Sequence, residues 1–235
     1  VRKLQSIESL GQATVIAVDK TGTITKNELT VKEVFIAGNI WNIEGYGYEP
    51  KGDVKFAETN TGISKPEDIT FLAKFCAISA KGDVLFDLEN KKWRVKGDPI
   101  EAAILVFAEK AGFTKTIAFE NTEKISEEPF DQQKKYHSTN FKFESKDIVI
   151  ISGAPESVLS VSKKVFLGVG KSRQITSEDT KEIEGNLLSM TGKGLRATAI
   201  AFKEENEDFC FLALIGMKDV LRPEAISAVA SAKKA

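Results

Sequence analysis

Asp19, Lys20, Thr21, Gly22 and Thr23 form the densest run of chemically useful side chains in this 235-residue sequence. They follow Thr14-Val15-Ile16-Ala17-Val18, a β-branched apolar stretch that reads as a strand buried on both faces of a parallel sheet. Such a strand delivers Asp19 to its carboxyl end, where open α/β sheets keep their ligand crevice. A carboxylate there is a candidate nucleophile, and Lys20 can offset negative charge gathering beside it. The plainer alternative is an ordinary turn at Gly22 with Asp19 as a solvated cap.

Little else in the chain can do covalent chemistry. The single histidine, His137, has no closely spaced Cys or His partner, which leaves a zinc site or a Ser-His-Asp triad without material. Cys76 and Cys210 lie far apart beside apolar residues and read as reduced core thiols, pointing to a cytosolic compartment. The 33 basic and 34 acidic residues nearly cancel, which argues against nucleic acid or an anionic membrane surface as partner. Gly192-Lys193 is followed by Gly194 without the upstream glycine spacing, so a Walker A loop is excluded.

At 42% hydrophobic the chain can bury a substantial core, suiting one large domain or one medium domain with part of another. No apolar run approaches the roughly 18 to 20 residues that span a bilayer, and no secretory signal opens the chain, so it is expected to be soluble. A start at Val1 rather than Met, and an end inside a helical pattern at Ser231 to Ala235, read as a fragment of a longer polypeptide, expected to be monomeric.

The elements that must position these groups are punctuated by turn and cap residues. Apolar and polar residues roughly alternate over Leu29 to Glu44, which predicts antiparallel strands, and Gly45 to Asp53 supplies a loop. Helical spacing appears over Pro66 to Ala80, where Ile69, Leu72, Ala73 and Cys76 share a face, and over Asp98 to Ala111, where Ile100, Ala103, Ile104 and Phe107 do. Pro155 opens a helix to about Lys163, and Thr176 or Ser177 caps another that stops near Gly192 or Gly194. Strands are expected at Ile148 to Ile151, Ala197 to Phe202 and Phe209 to Gly216, with a last helix after Arg222-Pro223-Glu224. The pattern gives an α/β or α+β chain.

The run DKTGT after a hydrophobic strand resembles the P-type ATPases, whose aspartate takes the γ-phosphate of ATP as a covalent intermediate. The resemblance implies Asp19 as nucleophile with Lys20 and Thr21 as its catalytic neighbours, and Mg2+ held at Asp19 and Thr21. Phosphoryl transfer is mostly positioning plus electrostatics, which a carboxylate beside positive charge satisfies. Haloacid-dehalogenase-type phosphatases usually carry a second aspartate two places on; Thr21 stands there instead, and a hydroxyl cannot do general-acid work at neutral pH. That argues against a simple phosphatase.

Further segments resemble the family's nucleotide domain. Gly97-Asp98-Pro99-Ile100-Glu101 resembles the segment whose glutamate lies near the adenine amino group, which gives Glu101 that role; a plain helix start, with Asp98 as N-cap, is equally compatible with it. Glu128-Pro129-Phe130-Asp131-Gln132-Gln133-Lys134-Lys135 resembles the stretch whose phenylalanine stacks on adenine and whose lysine lies along the nucleotide, here Phe130 and Lys135. Stacking is worth roughly 1 to 3 kcal/mol per base; from its residue type alone, Phe130 reads as core. Ser152-Gly153-Ala154-Pro155-Glu156 resembles KGAPE with serine for the lysine, which removes a cationic contact and implies weak nucleotide binding, while Gly153 lets the backbone approach a ligand closely. Gly192-Lys193-Gly194-Leu195-Arg196 resembles the element whose arginine reaches the phosphates, although a helix stop with a surface Arg196 explains it too. Lys218-Asp219-Val220-Leu221-Arg222-Pro223-Glu224 resembles the return into the phosphorylation domain, with Asp219 and Arg222 matching and Val220 replacing a proline.

The resemblance implies an antiparallel sheet flanked by helices, inserted into part of a haloacid-dehalogenase-like phosphorylation domain: 1–27 holding the DKTGT motif, 28–217 the nucleotide-binding domain, and 218–235 the return segment. It implies ATP bound between Glu101, Phe130 and Lys135, with hinge closure near Lys26-Asn27-Glu28 and Asp219 presenting the γ-phosphate to Asp19. It implies partners within one pump polypeptide, an actuator domain and transmembrane helices, at the cytoplasmic side of a membrane, so that this stretch alone is inactive. The start, Val1 to Gly11, and the Tyr46 to Asp53 loop lean toward the calcium-pump branch. A catalytically idle nucleotide-binding regulatory module is the competing expectation.

Overall fold

The computed structural model describes residues 12–57, 65–120, 122–143 and 145–234. The Val1 to Gly11 start, part of the calcium-pump resemblance, lies outside the described residues. The chain forms two compact units, a larger one of Glu28–Lys218 and a smaller one built from the described residues on either side, 12–27 and 219–234.

The larger unit is organised by a ten-stranded sheet. In chain order its elements are strands β1 (Thr25–Ile36), β2 (Asn39–Ile43) and β3 (Val54–Phe56), helix α1 (Pro66–Ser79), a hairpin β4 (Asp83–Asp87) and β5 (Lys92–Lys96), and helices α2 (Pro99–Lys110) and α3 (Lys115–Ala118). Strands β6 (Thr122–Glu128), β7 (Tyr136–Phe143) and β8 (Lys146–Gly153) follow, then α4 (Pro155–Val161), β9 (Lys164–Gly168), β10 (Lys171–Gln174), α5 (Ser177–Gly192), β11 (Arg196–Glu204) and β12 (Cys210–Leu221). The strand order is β3-β2-β1-β12-β11-β8-β7-β6, with β9 joining β12 and β10 joining β9; β4 and β5 pair apart from it. β6, β7, β8, β11 and β12 pair antiparallel in succession, whereas β9 meets β12 in parallel.

Both faces of this sheet are covered, and the alternation of side chains divides the core. Ile150, Ile200, Leu212 and Ile215 point into one cluster with Leu72, Phe75 and Cys76 of α1 and Ile104 and Phe107 of α2. Their strand neighbours Ile151, Ala199, Ala201, Phe211 and Leu214 point into another with Val158 of α4 and Ile183 and Met190 of α5. A strand covered on both sides reads as a continuous apolar run, which is why Ile148 to Ile151 and Phe209 to Gly216 are so uniform. Each fully buried Leu, Ile or Phe contributes about 1.5 to 3 kcal/mol, against about 0 to 1 kcal/mol for an exposed ion pair such as Lys146–Glu204 at 2.9 Å. The two apolar layers therefore dominate the unit's stability.

The expected helices form, with their caps as signalled. Asp98 caps α2, its Oδ1 accepting from Ile100 N at 2.8 Å, and Pro99 occupies the first turn. Thr176 rather than Ser177 caps α5 and forms a capping box with Asp179.

One expectation is overturned. Thr14 to Val18 forms no strand: the segment has no regular structure and is exposed, with Val15 82% and Ile16 65% accessible. High β-propensity cannot make a strand without a partner backbone to complete its hydrogen bonds, and no described strand pairs with these residues. In the smaller unit the chain instead turns sharply over Lys20–Ile24, with Gly22 at φ 78°, and ends in α6 (Ala225–Ala232), none of whose residues is buried.

Candidate functional site

A cavity of about 590 Å³ opens in the larger unit where the ends of several elements converge. α2 contributes Asp98, Ile100 and Glu101 at its N-terminus; β8 and the start of α4 contribute Ser152, Gly153, Ala154, Pro155 and Glu156; β11 contributes Arg196, Ala197 and Thr198. Phe130, from the β6–β7 connection, His137 of β7, Lys81 after α1, and Leu187 and Thr191 of α5 complete the wall. A wall that mixes charged and polar side chains with apolar ones such as Ile100, Phe130 and Leu187 suits a small organic ligand that has both an apolar and a polar part.

Glycines bring these segments together. An added Cβ on Gly82 would stand 2.1 Å from the Lys96 carbonyl oxygen, and one on Gly97 would stand 3.2 Å from the Gly82 Cα. The two ends of the β4–β5 hairpin cross there, which seats Lys81 and Asp98 in one wall. Gly153 is demanded by the same kind of crossing: its Cβ would lie 2.2 Å from Lys135 O and 2.5 Å from Tyr136 Cα. This glycine is required by the approach of β7 to β8, independently of any ligand. Thr198 Oγ1 donates to Gly153 O at 2.8 Å and Ala154 N donates to Lys135 O at 2.9 Å, tying three wall elements together.

Glu101 and His137 are the strongly perturbed groups of the wall. Burial pushes the Glu101 carboxyl up to about 7, with the Lys81 backbone amide opposing and Asp98 and Glu127 adding repulsion. Its Oε2 accepts from Lys81 N at 3.1 Å, and its Oε1 lies 3.3 Å from Nδ1 of His137. His137 is 5% exposed, and burial pushes its imidazole down to about 4, so the ring is neutral at physiological pH. Its Nε2 is buried with no hydrogen-bond partner among the described residues. Lys81 turns its ammonium to Glu127 Oε1 at 2.5 Å.

The cavity thus gathers five of the sequence-derived candidates, Glu101, Phe130, Ser152, Gly153 and Arg196. Phe130 is 56% exposed at its rim, so the core expectation from residue type is overturned: the aromatic face is left free to stack. Lys135 is not among the lining residues; its side chain is exposed and its backbone, at φ 59°, closes the turn that starts at Asp131. Asp219 and Arg222 belong to the smaller unit and brace the turn that follows Asp19. Thr25 Oγ1 donates to Asp219 Oδ2, Gly22 N donates to Thr25 Oγ1 at 3.1 Å, and Arg222 Nη2 donates to Gly22 O at 3.0 Å. Asp19, Lys20 and Thr21 are exposed at the start of this turn.

His137 and Lys81 were not singled out as wall residues. A lone histidine in an alternating strand gives no signal by itself, and Lys81 is one of many lysines until the Gly82–Gly97 crossing places it. Among the described residues no group of three or more His, Cys, Asp or Glu side chains is arranged to hold a metal. Magnesium takes one or two carboxylates and fills its shell with water and phosphate oxygens, a demand that the exposed Asp19 carboxylate and the hard oxygen of Thr21 fit.

Residues 68–224, more than half of the chain, match a family described as P-type ATPase, cytoplasmic domain N. All of the chain aligns at 30% identity with 27% of a calcium-transporting ATPase of Bacillus subtilis, and 97% of it aligns at 33% identity with 26% of the cation-transporting ATPase pma1 of Synechocystis. An endoplasmic reticulum-type calcium-transporting ATPase 2 of Arabidopsis thaliana is 29% identical over 89% of the chain. The chain spans about a quarter of the length of the curated relatives it matches.

Proposed function

Because the chain belongs to the P-type ATPases and matches their cytoplasmic domain N, we propose that its larger unit binds ATP in the 590 Å³ cavity and that Asp19 receives the terminal phosphate. The observation that carries this reading is the convergence of Glu101, Phe130 and Arg196 on one cavity from segments far apart in the chain.

In this reading the adenine lies against the free face of Phe130, where stacking contributes about 1 to 3 kcal/mol, and its amino group donates to Glu101. Arg196 supplies charge toward the phosphates, which offsets in part the serine at position 152. Lys135 stands outside the wall as a second cation that an extended triphosphate can reach. Rotation about the two chain crossings, at Asn27–Glu28 and Lys218–Asp219, brings the γ-phosphate to Asp19. An Asp19 carboxylate oxygen bonds to the γ-phosphorus as the bond to the ADP oxygen breaks, and water later cleaves the acyl-phosphate. Magnesium, held by Asp19 and Thr21, would neutralise phosphate charge during that transfer. Lys20 adds positive charge beside the acceptor, while Asp219 and Arg222 hold the turn that aims it.

We assign the parent protein to the cytoplasmic side of a membrane cation pump, with calcium favoured as cargo by the names of its relatives. The actuator domain and transmembrane helices of the same polypeptide are its partners.

Calorimetric titration of the chain with ATP and with tripolyphosphate tests the binding step. Saturable ATP binding, weakened about 5- to 100-fold in Phe130→Ala and absent for tripolyphosphate at the same concentrations, is expected. Equal binding of both ligands, or none at several millimolar ATP, refutes it. In the full-length pump, Asp19→Asn abolishes the acid-stable phosphoenzyme formed from labelled ATP; its persistence would refute Asp19 as the acceptor, and its absence from the native protein would favour an idle regulatory module.

A further inference from the structure

We infer that His137 is a positioning residue of the nucleotide site: by donating from Nδ1 to Glu101 it holds that carboxylate as an acceptor and so selects a base edge that carries an amino group. The inference rests on the reading of the cavity as a nucleotide site and adds a residue and a selection rule to it.

Two observations fix which ring nitrogen carries the proton. On one side, Nδ1 stands 3.3 Å from Glu101 Oε1, just beyond the usual limit of about 3.2 Å for an N–H to oxygen bond and within reach of it by a small adjustment. On the other, Nε2 is buried with no partner among the described residues. A proton on Nε2 would be an orphaned buried donor, whereas one on Nδ1 meets a carboxylate. Strand pairing holds the ring there, since β7 and β8 set His137 opposite Ser152 and the ring is 5% exposed.

With that tautomer, Oε1 of Glu101 takes the His137 proton and Oε2 takes the Lys81 amide. The Lys81 amide favours the ionised carboxylate, opposing the burial that raises it to about 7, and a proton on Nδ1 would act in the same sense. The titratable groups facing the pair are Lys81, Asp98 at the start of α2, Lys124 and Glu127 of β6, and the Cys76 thiol of α1, which burial keeps protonated. Lys81 and Lys124 both contact Glu127, and with Asp98 the charges of these four groups cancel. What tips Glu101 between its forms near neutrality is therefore its two direct donors and the ligand. An ionised Glu101 accepts from the 6-amino group of adenine and repels the 6-oxo oxygen of hypoxanthine; a protonated one discriminates little.

The test combines two measurements on the whole chain. Because His137 is the only histidine, its ring ¹⁵N shifts in the protein alone are read without assignment, and a proton on Nδ1 is expected from pH 6 to 8. Calorimetry then gives the affinities of ATP and inosine triphosphate between pH 6 and 8.5 for the native chain, His137→Leu and His137→Gln. The native preference for ATP should exceed about tenfold at pH 8 and shrink as pH falls, by up to about tenfold per unit for a one-proton linkage. His137→Leu should move that fall to higher pH, and His137→Gln, which keeps a donor, should restore most of the native profile. A proton on Nε2, or a His137→Leu profile superimposable on the native one, overturns the inference while ATP binding itself stands. Failure of the native chain to bind either nucleotide at any pH overturns the nucleotide reading and base selection with it.

Discussion

Gly153 and the carbonyl of Lys135 are packed so closely that a Cβ on Gly153 would lie 2.2 Å from that oxygen. The neighbouring atoms are backbone, and backbone of a paired strand cannot step aside as a flexible side chain would. Gly153→Ala should therefore destabilise the larger unit by about 1 to 3 kcal/mol, the ordinary cost of overpacking. Urea denaturation followed by circular dichroism reads it directly. An unchanged midpoint would mean that β7 and β8 separate easily there.

Glu101 links the fold's stability to pH with a definite sign. Its folded value, about 7, lies above its ordinary 4.5, so its favourable contribution is complete below pH 4.5 and is lost as pH rises through 7. Glu101→Gln does not titrate and should be more stable than the native chain by on the order of 3 kcal/mol at pH 8, with the gap closing toward pH 4.5. His137 works in the opposite sense: with its value pushed from 6.5 down to about 4, its contribution is present above pH 6.5 and fades below it. Both chains keep that histidine, so their difference isolates Glu101. Urea midpoints at pH 5.5 and 8 decide the matter, and a gap independent of pH would count against a buried titrating carboxyl.

Asp179 is the fastening of α5. It accepts from Arg173 Nη1 and Nη2 at 2.5 and 2.8 Å and from Thr176 N at 2.8 Å, closing the capping box. The Arg173 guanidinium, with help from Thr176, holds its carboxyl below the usual range, so this contribution survives down to acidic pH and is lost only as pH falls through that lowered value. Asp179→Ala should cost about 1 to 3 kcal/mol at pH 7. Because α5 supplies Leu187 and Thr191 to the cavity wall, ATP affinity should weaken along with stability; a stable variant with intact affinity contradicts this coupling.

Thr25 carries the turn after Asp19. Replacing it by valine keeps the shape but removes the acceptor for Gly22 N and the donor to Asp219. Amide exchange at Gly22 should accelerate by roughly tenfold or more, corresponding to one lost hydrogen bond. Unchanged protection at Gly22 would show that Arg222, through its bond to Gly22 O, suffices by itself.

Legibility in the sequence followed the physics of each segment. α1, α2, α4 and α5 were readable because proline or a cap residue marked each start, and β8, β11 and β12 because burial on two faces made them apolar throughout. β6 was not readable: Thr122 to Glu128 is largely polar and exposed, and only pairing with β7 makes it a strand. Thr14 to Val18 erred in the other direction, with strand-like residues and no described partner. In the site, Glu101, Phe130, Ser152, Gly153 and Arg196 came from family resemblance, since nothing in their separate spacings could show that they share one cavity. His137 and Lys81 needed the strand register and the glycine crossing.

The boundary between the two units has a consequence for how the chain could be rebuilt. The larger unit is entered through β1 and left through β12, neighbouring strands of one sheet, and just outside it Thr25 meets Asp219 and Arg222 N reaches Ile24 O at 2.9 Å. Its two ends are therefore side by side. Residues 28–218 form a cassette that can be excised, closed into a ring by a short linker from Lys218 to Glu28, and reopened at a surface turn such as that between β9 and β10 without stretching any strand.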